Sequence, residues 1–356
     1  MSTRGRILGA AAGAVGLAAA GAVLGINRQN RAIRHRSDDS TPFGSLRSAP
    51  ITVIADDGVP LHVEVDELDA AARAHASGLT IVWVHGYALN LDCWHFQRAA
   101  YRGLERSVFY DQRSHGRSGR STDGHATIDQ LGLDLLTILD TVVPEGPVVL
   151  IGHSMGGMAI IALAEQHPEL FGERIVGVGL ISTTAGELDP GRIVLPLLPA
   201  KLGGQLATRT VRTLARNHRL VDGVPRAGRS VGVVATDLFA FGDEVPAAYV
   251  DFVDSMLSQT PFEVVAEFFP SFRSLDKFDS VEVIGRVPTT IICGTTDRLT
   301  SIGHSRKLHE RIPGSTLLEC DEAGHMVMIE RHGQVNAALD QLLSAAAELL
   351  APRLRN

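Results

Sequence analysis

The sequence predicts an α/β chain: a mostly parallel, doubly wound sheet flanked by helices, interrupted late by a long insertion. Three observations carry this. A continuous apolar run stands at 148–151, as a strand buried on both faces requires, and further apolar strand candidates recur at 176–181, 289–293 and 315–320. Helical spacing lies between such runs, with Ile128, Leu131, Leu135, Ile138 and Leu139 interleaved with Asp129, Asp134 and Asp140. From 187 to 286 the strand–helix alternation stops and phenylalanine accumulates.

The elements follow in order. Residues 1–36 form a separate amino-terminal device. Positions 7–26 are twenty uncharged residues, long enough to span a bilayer as a helix, flanked by Arg4 and Arg6 before and Arg28, Arg31, Arg34 and Arg36 after. The expectation is a membrane anchor at 7–26, with the folded body on the cytoplasmic face because four basic side chains follow it and two precede it. Its weak hydrophobicity, with eight alanines and five glycines, leaves an exported or secreted protein as the alternative, with 18–20 resembling a cleavage site. A linker covers 37–49. The folded body comprises a first core part at 50–186, the cap or lid at 187–286, and a second core part at 287–356. Removing the six arginines of 1–36 leaves 27 basic against 40 acidic residues, so the body is acidic.

The run at 148–151 continues into Gly152-His153-Ser154-Met155-Gly156, and a helix-like stretch follows at 157–166. Ser154 is thereby expected on a sharp strand-to-helix corner, where Gly152 and Gly156 leave room for the tight turn. A nucleophilic serine needs a base and an orienting acid. Asp297 lies just beyond the run at 289–293, and His325 follows the run at 315–320 behind Gly324. Asp297 can also be read as the N-cap of a helix starting near Thr300.

Ser154, Asp297 and His325 in that order resemble the α/β-hydrolase superfamily, on its serine esterase and lipase-like branch, over roughly residues 50–350. Trp83-Val84-His85-Gly86-Tyr87 is similar to that family's oxyanion segment, and 111–118 (DQRSHGRS) to its Asp-x-Arg-Gly-x-Gly-x-Ser loop. Ser114 departs from the loop motif, where glycine is usual, and His332 stands where proline often follows Glu-Arg. The resemblance implies Ser154 as nucleophile, His325 as base, Asp297 as orienting acid, and the backbone N–H groups of Tyr87 and Met155 as oxyanion hole. Asp111 is expected to brace its loop together with Arg113. A serine at the corner disfavours the relatives that use aspartate there to open epoxides or remove halides.

The implied reaction is hydrolysis of a small-molecule carboxylic ester through an acyl-enzyme, without metal or cofactor. A thioesterase, amidase or haloperoxidase-like perhydrolase shares the same triad, and a catalytically idle binding protein is the alternative of another class. The resemblance implies that 187–286 is a helical cap; this segment holds eight of the twelve phenylalanines, Phe239, Phe241, Phe252, Phe262, Phe268, Phe269, Phe272 and Phe278, and the apolar run 193–198. An apolar substrate portion is expected, with at least half of these rings packing the cap onto the body. Arg209, Arg212 and Arg216 form a basic stripe best read as a solvated helix face. Three cysteines give neither a disulfide framework nor a zinc pattern, and no nucleic-acid motif occurs.

Overall fold

In a computed structural model, residues 42–74, 77–121, 124–188 and 227–350 are described, together with Gln29, Asn30 and Ile33. Eight strands form one sheet: β1 (Pro50–Ile54), β2 (Pro60–Asp66), β3 (Thr80–Val84), β4 (Arg106–Tyr110), β5 (Val148–His153), β6 (Ile175–Ile181), β7 (Thr289–Gly294) and β8 (Thr316–Cys320). Their order is β1-β2-β4-β3-β5-β6-β7-β8, antiparallel across the first two pairs and parallel from β4 onward. The runs at 148–151, 176–181, 289–293 and 315–320 fall in β5, β6, β7 and β8. β5 and β7 extend past their runs into the glycines at their carboxyl ends, since a backbone without side chains still pairs: Gly152 stands opposite Val84 and Leu180.

The described helices are α1 (His95–Tyr101), α2 (Ile128–Val142), α3 (Met155–Gln166), α4 (Ala227–Ala240), α5 (Ala247–Gln259), α6 (Phe262–Ser274), α7 (Ile302–Arg311), α8 (Val327–Glu330) and α9 (His332–Leu350). Two apolar clusters sandwich the sheet. Val82, Val84, Val108, Leu150 and Val178 join one cluster with the apolar side chains of α2 and α3. The alternate residues Ile81, Trp83, Phe109, Val149 and Ile151 join the other with α9 and the late helices. This is the period-two consequence of strands covered on both faces. The periodicity at 128–139 gives α2, which starts where the Thr127 hydroxyl accepts the N–H of Gln130 at 3.1 Å.

Between β6 and β7 the chain leaves the sheet for α4, α5 and α6. The excursion is narrow at its base: Gly186 bridges Asp276 in antiparallel fashion, and the Lys277 N–H donates to the Ala185 carbonyl at 2.8 Å. The turn Phe278–Arg286, counted with the insertion in the sequence reading, sends Val281 and Ile284 into the main core. Of the eight phenylalanines, Phe241, Phe268, Phe269, Phe272 and Phe278 are buried. Phe252 stacks on Phe43, its ring 5.0 Å away.

Residues 7–26, the run 193–198 and the stripe Arg209, Arg212 and Arg216 lie outside the described residues. Among the described residues no helix is long and apolar enough to cross a membrane.

Candidate active site

Ser154 stands between β5 and α3 with φ +51°, ψ −116°, a conformation that a β-carbon disfavours and that only a rigid setting holds. The neighbours explain the setting. A Cβ on Gly152 would lie 2.6 Å from the carbonyl carbon and oxygen of Gly156 and from the amide nitrogen of Gly157, and one on Gly156 would overlap the Val84 carbonyl. Strand, turn and helix therefore meet backbone to backbone, and Ser154 is 8% exposed at their junction. The Ser154 carbonyl accepts the N–H groups of Gly157 and Met158 at 3.0 and 3.2 Å. The first N–H groups of α3, at Met155 and Gly156, have no intrahelical carbonyl to reach and form the positive end of the helix.

Asp297 follows β7 and His325 follows β8, two adjacent parallel strands, so both come to the same carboxyl edge as Ser154. His325 Nδ1 lies 2.9 Å from Asp297 Oδ2. The other carboxylate oxygen, Oδ1, accepts the N–H groups of Leu299 and Thr300 at 2.8 and 2.9 Å. The N-cap reading of Asp297 is corrected: Oδ1 closes the turn 297–300, while the helix α7 begins at Ile302 with Ser301 at its N-cap. Burial pushes the Asp297 carboxyl up, but the attraction and hydrogen bond of His325, with the two N–H donors, outweigh it and hold the acid below its ordinary range. With Nδ1 committed as donor to Asp297, Nε2 of His325 is left as the basic nitrogen.

The segment His85-Gly86-Tyr87, expected from the sequence to face an oxyanion, leaves β3, the neighbour of β5. His85 Nε2 accepts the N–H of Gln112 at 2.9 Å, so its proton sits on Nδ1 and is donated to the Gly86 carbonyl at 2.7 Å. Burial pushes this imidazole down to about 4, so it stays neutral and holds that tautomer. Tyr87 follows, and its ring turns toward the insertion.

One sequence expectation is corrected. Asp111 does brace its loop, accepting the N–H groups of Leu91 and Arg117 at 2.7 and 2.8 Å, but its partner is not Arg113. Arg113 is fully buried and is gripped by both oxygens of Asp134 at 2.6 Å and by Asp57 at 2.7 Å. The planar guanidinium matches two carboxylates that α2 and the β1–β2 turn bring together, and a linear spacing does not reveal it. Ser114, standing in for the usual glycine, adopts φ +65°, and its hydroxyl accepts the N–H of Ser121 at 2.8 Å, which offsets part of the strain. His332 stacks flat on Phe96 at 4.0 Å.

Ser154 and His325 open onto a cavity of about 460 Å³ whose walls include Leu89, Met158, Phe239, Leu257, Phe272 and Met326. Phe239 and Phe272 are the aromatic contributions of the insertion; Thr236, Asp254 and Ser258 are its polar ones. The cysteines are no rival nucleophiles: all three are buried, and burial pushes the Cys293 thiol up to about 12. Among the described residues no group of His, Cys, Asp or Glu is arranged to hold a metal ion.

Three supporting residues escape the sequence reading. His153 Nε2–H donates to the His325 carbonyl at 3.0 Å, tying the residue before the serine to the histidine loop. The Thr300 hydroxyl lies 3.0 Å from Asp297 Oδ2 and 2.8 Å from the Ser182 carbonyl. The buried Glu330 carboxylate accepts the N–H groups of Gly324 and Asp243 at 2.8 and 3.0 Å, joining the histidine loop to the end of α4. Only the Glu330 link has a sequence trace, since it lies five residues beyond His325; the others are contacts between distant segments.

Comparison with known proteins agrees with this architecture. Residues 81–338 match the alpha/beta hydrolase family. 3-Oxoadipate enol-lactonase 2 of Acinetobacter baylyi is 27% identical over 78% of this chain and 92% of its own length. The dihydrolipoyllysine-residue acetyltransferase component of the acetoin cleaving system of Pseudomonas putida is 25% identical over 73% of this chain, which spans 62% of that protein. A solved esterase of Thermogutta terrifontis superposes with a TM-score of 0.65 over 84% of this chain and all of its own, at 21% identity.

Proposed function

The chain belongs to the alpha/beta hydrolase family, and on that premise we propose that it is a serine hydrolase that cleaves carboxylic esters with an apolar acyl or alcohol portion. The observation that carries the proposal is the His325–Asp297 pair at 2.9 Å, opening with Ser154 onto one mostly apolar cavity.

In this reading Ser154 attacks the carbonyl carbon of the ester as His325 Nε2 takes its proton. Asp297 keeps the imidazole in the Nδ1–H tautomer and stabilises the cation that forms. The developing oxyanion accepts from the backbone N–H groups of Met155, at the positive end of α3, and Tyr87; one such donor is typically worth ~3 kcal/mol in the transition state. His325 returns the proton to the alkoxide leaving group. A water activated by the same imidazole then releases the acid from Ser154. The helices α4, α5 and α6 act as the cap and set the size of the acyl or alcohol portion accepted.

Hydrolysis of p-nitrophenyl esters from acetyl to palmitoyl by the full chain, beside Ser154→Ala, tests this. Serine-dependent turnover with a chain-length optimum is expected; a folded protein with no turnover on any ester would remove the ester reading. The name of the Acinetobacter relative adds lactones, which are cyclic esters, to the panel. Residues 7–26 are proposed as a membrane anchor, on their length and flanking arginines. Carbonate-resistant sedimentation with membranes, lost on deleting residues 1–36, is the expected result.

A further inference from the structure

Tyr87 enters the proposed reaction through its backbone N–H alone, yet its side chain reaches the insertion. The phenol donates to the Val265 carbonyl on α6 at 2.6 Å. One residue along, the traffic reverses: the Thr260 hydroxyl, from the turn between α5 and α6, donates to the Ala88 carbonyl at 3.0 Å. Tyr87, the last residue of the oxyanion segment, and Ala88 just after it are therefore pinned to two points of the insertion.

The segment needs such pins. Ala88 has φ +57°, a left-handed conformation that costs a non-glycine residue roughly 1–2 kcal/mol and persists only where tertiary contacts impose it. The Tyr87 ring is held edge-on by Phe272 of α6 at 5.0 Å and by His115 of the body at 6.0 Å. The α6 side of the contact carries a break in its helix. Pro270 lies inside that helix, removing the N–H that the Ala266 carbonyl would otherwise receive, so the ladder is interrupted next to the Val265 contact.

We propose that the Tyr87 and Thr260 hydroxyls couple the seating of α6 to the position of the Tyr87 backbone N–H, so that the oxyanion hole is complete only when the insertion is closed over the cavity. This rests on the serine-hydrolase reading and assigns that site its closure control. Tyr87 and Thr260 are then positioning residues, acting through the main chain of 87–88.

The test compares wild type, Tyr87→Phe and Thr260→Val as full chains. Phe keeps the ring contacts and removes only the donor. The expected result for Tyr87→Phe is a fall in kcat of about tenfold to a hundredfold with KM within about threefold. Inhibition by an acyl trifluoromethyl ketone, which forms a tetrahedral adduct on serine, weakens by the same factor as kcat/KM. Thr260→Val shifts these quantities in the same direction. A raised KM at unchanged kcat would make the phenol a cap anchor with no hold on the oxyanion hole, and unchanged kinetics would likewise overturn the coupling. Hydrogen exchange read by mass spectrometry gives an answer independent of activity: in Tyr87→Phe, residues 86–90 and 262–274 are expected to lose protection together. Loss confined to 262–274 overturns the proposal. Failure of the underlying reading is recognised separately, as wild-type turnover that survives Ser154→Ala.

Discussion

Replacing Gly152 by alanine adds one methyl group at the place where the structure has least room for it. The new Cβ would stand 2.6 Å from three backbone atoms of Gly156 and Gly157, where ordinary contact begins near 3.4 Å. About 0.8 Å of retreat is needed, and no side chain can supply it because the obstructing atoms are main chain. β5 is fixed on both sides by β3 and β6, so the first turn of α3 must move. Overpacking of this kind costs ~1–3 kcal/mol. The larger effect falls on the reaction, since α3 carries the Met155 N–H and begins at Ser154; a displacement near 1 Å in positioned groups costs on the order of 10²-fold. Urea unfolding of Gly152→Ala is expected to show a midpoint lowered by the equivalent of those few kcal/mol with an unchanged slope, and ester turnover a fall of about two orders of magnitude. Stability within 0.5 kcal/mol of wild type together with wild-type kcat would refute the steric account of the turn.

Asp297→Asn is expected to fold normally and lose on the order of 10⁴ in kcat, because an amide can favour the wrong imidazole tautomer; near-normal turnover would mean another group orients His325. Arg113→Leu removes the cation between Asp134 and Asp57 and should lower unfolding stability by roughly 3–5 kcal/mol, since the buried Asp134 loses its countercharge; a loss under 1 kcal/mol would show that water replaces it. At Glu64, burial pushes the acid up, yet the His62 contact, the Ser48 N–H and the Arg98 pair outweigh it and bring it down to about 2. A lowered folded-state value contributes stability that is complete above the unfolded value of 4.5 and is lost as pH falls toward 2. Glu64→Gln should flatten the stability profile across that window while other carboxylates keep part of it, and an unchanged slope would assign acid unfolding elsewhere.

What the sequence discloses about this protein is what adjacent residues disclose about one another. The run at 148–151 reads as a buried strand because nothing in it is polar, and Gly152, Ser154 and Gly156 read as a corner because their spacing is local. Asp297 and His325 are legible for the same reason, each standing a few residues past an apolar run. Arg113 is misread because its partners lie 21 and 56 residues away and are chosen by how α2 and the β1–β2 turn approach the loop. His153, Thr300 and the Tyr87 hydroxyl are silent in the sequence, since each acts through a main-chain group or a side chain whose nearness depends on the finished sheet.

The neck formed by Gly186 and Asp276 has a meaning for how such a chain diversifies. A segment that departs and returns through one bridge needs two neighbouring attachment points in the sheet, and its remaining ties to the body, such as Glu330 to the N–H of Asp243, lie beyond the strands. The excursion behaves as a cassette: its length and composition can drift, or be exchanged for those of a relative, while the strands that present Ser154, Asp297 and His325 keep their register. Grafts intended to redirect the substrate range should therefore be cut at this bridge, and a foreign cassette has to meet the partners this one meets on the body, Tyr87, Ala88 and Glu330 among them.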